Sequence, residues 1–82
     1  MPTVLNFHGL RIFIYLNDHR PAHVHVTGNG CEAVFRLHCP TGPPELRENY
    51  GFSNKVLNNI AEELGKNLRL LCRKWSEYHG PD

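Results

Sequence analysis

Four short runs in the first half of the chain carry β-branched, aromatic or alternating apolar residues: Thr3 to Phe7, Leu10 to Leu16, His23 to Thr27 and Glu32 to His38. Runs of this kind, bounded by turn residues, predict strands. The separators His8-Gly9, Asn17-Asp18 with Pro21, and Gly28-Asn29-Gly30 suit antiparallel hairpins. The last supplies residues that tolerate positive φ, which makes the third and fourth strands hairpin partners. Cys39 to Pro44 holds three prolines and must be a loop, because proline fixes φ and removes a backbone donor. A short edge strand, Glu45 to Asn49, follows it.

From Ser53 the period changes. Val56, Leu57, Ile60, Ala61, Leu64, Leu68, Leu71, Cys72 and Trp75 recur at spacings of one, three or four, the stripe of an amphipathic helix. Ser53 is its N-cap, and Gly80-Pro81 stops it. Gly65 lies within the stripe, and because the phase continues across it, one helix from Ser53 to Tyr78 bent at Gly65 is expected. The fold class is therefore α+β. It comprises a single domain over residues 1–82, with an antiparallel sheet of four to five short strands within 1–50, packed on one face by a long C-terminal helix over 53–78.

Strand alternation gives the facing. Val24 and Val26 should meet the helix together with Ile12, Ile14, Leu16, Ala33, Phe35 and Leu37. The opposite face then displays Phe13, Tyr15, His23, His25, Arg36 and His38. Three of the six histidines fall between His19 and His25. His23 and His25 share one strand face, and His19 lies in the loop that delivers that strand, so His19, His23 and His25 form a candidate site for a divalent metal such as zinc or manganese. Asp18 or Glu32 would add a carboxylate. A metal held there would lower the pKa of a bound water, which is the chemistry of a hydrolase or nuclease. The competing structural reading has Asp18 and His19 shape the turn while the imidazoles bond backbone carbonyls. Thr27 stands where a nucleotide-hydrolase histidine triad needs a third imidazole, and nothing around Cys31 or Cys39 marks an activated thiol.

Charge and cysteine usage narrow the partners. A formal net charge of +1 gives a weak whole-molecule field, so attraction to nucleic acid or an anionic membrane would have to be local. Phe13 and Tyr15 beside Arg36 suit base stacking or self-association, and Phe13, Tyr15, Asp18, Arg36 and His38 are the candidate binding residues. The three cysteines, Cys31, Cys39 and Cys72, are odd in number and widely spaced, matching neither a disulfide framework nor a zinc ribbon. With no basic leader and no long apolar run, a cytoplasmic protein without membrane association is expected.

The run "NDHRPAHVHV", with "EAVFRL", "ELRENYGFSNKVLNNIAEEL" and Trp75, resembles a small bacterial family, domain of unknown function 4160. Asp18, His19, Pro21, His23, His25 and Val26 carry its most specific pattern, and Ala22 stands where the family often has a second proline. The resemblance implies an accessory protein that pairs with a second short protein encoded nearby, in a module of toxin and antitoxin type. It implies no particular reaction. Two expectations follow: a binding protein that acts on protein or nucleic acid through a histidine-rich sheet face, or a metal-dependent hydrolase or nuclease that uses the histidine cluster.

Overall fold

A computed structural model describes residues 3–80. Five antiparallel strands form one sheet in sequence order: β1 (Thr3–Phe7), β2 (Leu10–Phe13), β3 (His23–Gly28), β4 (Cys31–Arg36) and β5 (Glu45–Tyr50). Two helices follow, α1 (Asn54–Lys66) and α2 (Leu68–His79). The turns are the ones the local sequence demands. His8 and Gly9 have φ of 48° and 77°, and Asn29 and Gly30 have 53° and 76°, so each tight hairpin has two successive residues at positive φ. That geometry matches the right-handed twist of the flanking strands.

Most buried residues form one core cluster, drawn mainly from the sheet (Ile12, Ile14, Val24, Val26, Ala33, Phe35, Leu37) and the helices (Leu57, Ile60, Leu64, Leu68, Leu71, Trp75). Asn49 bridges sheet and helix. Its side chain accepts from the Phe52 N–H and donates to the Phe52 carbonyl at 3.1 and 3.0 Å, holding the turn out of β5. The Ser53 hydroxyl then accepts from the Val56 N–H at 3.2 Å and satisfies one of the free donors that begin α1.

Four expectations are corrected. β2 ends at Phe13, not Leu16, because the next backbone groups are taken by a local turn: the Tyr15 N–H donates to Asp18 Oδ2 and the Asp18 N–H to the Tyr15 carbonyl. Leu16 is consequently exposed rather than turned to the helix. The helix is interrupted at Asn67, two positions beyond Gly65, which lies inside α1. There the Asn67 side chain donates to the Glu63 carbonyl at 2.9 Å and to its carboxylate at 3.2 Å, while φ and ψ leave the helical range at −110° and 19°.

The third correction concerns cysteine. Cys39 and Cys72 form a disulfide, with Cα atoms 5.8 Å apart, which ties the loop after β4 to α2. A contact across a sequence separation of 33 leaves no local trace in spacing. Cys31 is free. The fourth concerns the second sheet face, which is not simply open. Phe13 and His23 are buried, Tyr15, His25 and Arg36 are half-buried, and only His38 of the residues expected on display is exposed.

Candidate metal centre

The loop between β2 and β3 folds back over the sheet and delivers Asp18 to the imidazoles. Asp18 Oδ2 lies 3.1 Å from His25 Nε2 and 3.5 Å from His23 Nε2. Ligand atoms of Asp18, His23 and His25 all fall within 4.8 Å of one another. Ligands about 2.1 Å from a shared ion, at right or tetrahedral angles, stand about 3.0 to 3.4 Å apart, so the carboxylate-to-imidazole distances suit a common cation.

Each donor is held in place. His23 Nδ1 donates to the Pro21 carbonyl at 2.8 Å, which turns Nε2, the lone-pair nitrogen of the neutral ring, toward Asp18. Asp18 Oδ2 is fixed by the Tyr15 N–H at 3.1 Å. Phe13 stacks on the His25 ring at 5.4 Å, and Tyr15 meets it edge-on at 4.6 Å. The side chains of His23, His25 and Asp18 are only 10%, 13% and 14% exposed, so water competes weakly for their lone pairs.

A second layer backs the site. The His23 ring lies 5.3 Å from Trp75, and Trp75 stacks on His79 at 4.0 Å. Arg20 donates to the His79 carbonyl at 3.2 Å, joining the loop to the end of α2. His79 is four positions from Trp75 and so shares its helix face, a signal in the sequence that the histidine-rich loop overshadowed.

A family model described as Domain of unknown function (DUF4160) matches residues 9–76. The chain belongs to this family. No curated protein and no solved structure matches it. The DUF4160 match contains Asp18, His23, His25 and Trp75, whereas His79 lies beyond it.

Within this DUF4160 domain the residues singled out in the sequence separate into groups. Asp18, His23 and His25 converge. His19 is exposed in the same loop and is not part of that group. Phe13 packs under His25 with 2% of its surface exposed, so neither of its faces is free for a stacked base. Tyr15 lies against both Phe13 and His25. Arg36 stands directly opposite His23 in the β3–β4 ladder. His38 is at the exposed margin, where its Nε2 contacts Glu45 Oε1 at 2.7 Å. That hydrogen bond and the imidazole's charge hold the Glu45 carboxyl below its ordinary value. No helix among the described residues is long and apolar enough to cross a membrane.

Proposed function

We propose that Asp18, His23 and His25 hold a divalent cation, and that this centre, not a bare sheet face, is the working part of the protein. One observation carries the reading: two largely buried imidazole nitrogens converge on a single carboxylate oxygen at 3.1 and 3.5 Å. Two histidines and one carboxylate suit zinc, manganese or iron(II) and leave coordination positions free. The reaction class that fits is hydrolysis, in which the ion would activate a water. The protein's own part is to fix the three donors, through the Pro21 carbonyl, the Tyr15 N–H and the aromatic rings, and to keep bulk water from the recess. Calorimetric titration of the metal-free protein with zinc should give one site, abolished by His25→Ala. Failure to bind zinc, manganese or iron(II) would refute the reading.

A second reading rests on a different observation. β5 is an edge strand, and all six of its residues are exposed, Leu46 and Tyr50 among them. An exposed edge can take a further strand from a partner. The small neighbouring protein implied by the family resemblance, in a module of toxin and antitoxin type, would bind there. Co-elution of the two proteins, abolished by Arg47→Pro on the edge, is the expected result. A chain that elutes as an unchanged monomer beside that neighbour would refute it.

A further inference from the structure

Arg36 occupies an unusual position beside the proposed centre. Directly opposed residues on neighbouring strands share a sheet face, with Cβ atoms about 5 Å apart. Arg36 is paired in this way with His23 on one side and Glu45 on the other. It is half-buried, and its Nε is shielded from water without a hydrogen-bond partner. A buried guanidinium donor left without an acceptor is destabilising, which marks this arginine as one not placed for structural pairing alone. Glu45, opposite Arg36 and under the influence of its charge, is hydrogen-bonded by His38, and Asp18, beside His23, is engaged by the imidazoles and the Tyr15 N–H.

The charge balance points the same way. A dication held by Asp18 and two neutral imidazoles is positive, and adding Arg36 and Glu45 leaves the sum positive. A site of that kind calls for an anion. Arginine presents a planar fork of donors that matches phosphate oxygens, whereas a lone metal position offers no such directional match.

From these observations we infer that Arg36 is the substrate-docking residue of the centre and that the ligand class is a phosphate group, held between the guanidinium and the cation. This rests on the metal reading above and goes further, by naming what the free coordination positions face. The substrate would be a phosphate ester, with non-bridging oxygens held by the Arg36 guanidinium.

The test uses the full chain loaded with cobalt(II), which reports its own coordination by visible absorption. Cobalt is titrated first, and inorganic phosphate is then titrated into the loaded protein. The wild type should bind phosphate with a change in the cobalt spectrum. Arg36→Gln should weaken phosphate at least tenfold and leave cobalt affinity unchanged or tighter, since a neighbouring cation has been removed. Arg36→Lys, which keeps the charge but not the fork, should fall between the two and guards against a folding defect in the glutamine variant. If cobalt binds and Arg36→Gln and Arg36→Lys take phosphate as tightly as the wild type, this inference is overturned while the metal centre stands. If no cobalt binds, both are overturned.

Discussion

Among the described residues, histidines meet a carboxylate in two places, built differently. At the sheet margin His38 and Glu45 meet at 2.7 Å, with side chains 42% and 61% exposed. In the recess His25 and Asp18 meet at the longer distance of 3.1 Å, with only 13% and 14% exposed, and His23 joins the same oxygen. The shorter contact is the weaker candidate for chemistry. Exposed pairs are screened by solvent and contribute little. Convergence, burial and fixed orientation are what distinguish the inner group, and none of the three is measured by a single distance.

The largest effect should come from removing the backing of the inner group. Trp75 is fully buried and supports both His23 and His79. Trp75→Ala should cost about 3 to 5 kcal/mol in urea unfolding, by precedent for large-to-small core changes. Next is the covalent tie beside the outer pair. Breaking Cys39–Cys72 by Cys39→Ser with Cys72→Ser frees a long loop in the unfolded chain. By loop entropy that is worth about 3 to 4 kcal/mol, read as a lower unfolding midpoint with zinc affinity unchanged.

Asp18→Asn isolates the charge of the inner group, since an amide oxygen can still accept from the Tyr15 N–H. Zinc affinity should fall roughly 100-fold, at the upper end of what even outer-shell partners cost, with little change in the stability of the metal-free protein. Unaltered affinity would mean that the carboxylate is only a turn former.

The smallest effect belongs to the outer pair. The His38 hydrogen bond lowers the Glu45 pKa, so its stabilisation is present at neutral pH and is lost as pH falls through that lowered value. His38→Ala should therefore leave zinc binding untouched and alter thermal stability only slightly. What difference there is should vanish in acid.

The parts of this arrangement that the sequence made legible are those fixed by neighbours along the chain. His8-Gly9 and Asn29-Gly30 specify their turns because positive φ is a local requirement, and Ser53 caps α1 for a similarly local reason. Alternation also placed His23 and His25 on one face, as the pairing with Arg36 and Val34 shows. What stayed hidden depends on distant contacts. The sequence offers Asp18 and Glu32 as alternative carboxylates, and the choice between them is made by the loop after β2, which doubles back. His23 is buried because Trp75, from the far end of the chain, reaches the start of β3. Phe13 disappears from the surface under Tyr15 and His25, a packing that strand period alone does not encode. The same holds for Cys39 with Cys72, and for the interruption at Asn67, where a side-chain bond to Glu63 outweighed the suspicion attached to Gly65.

The most direct test of the central claim is nitrogen-detected NMR of the histidine side chains as zinc is added to the metal-free protein. His23 and His25 should shift together and saturate at one equivalent, while His19 and His38 keep their original signals. Equal movement of all four rings, or no movement of His23 and His25, would contradict a centre built from Asp18, His23 and His25.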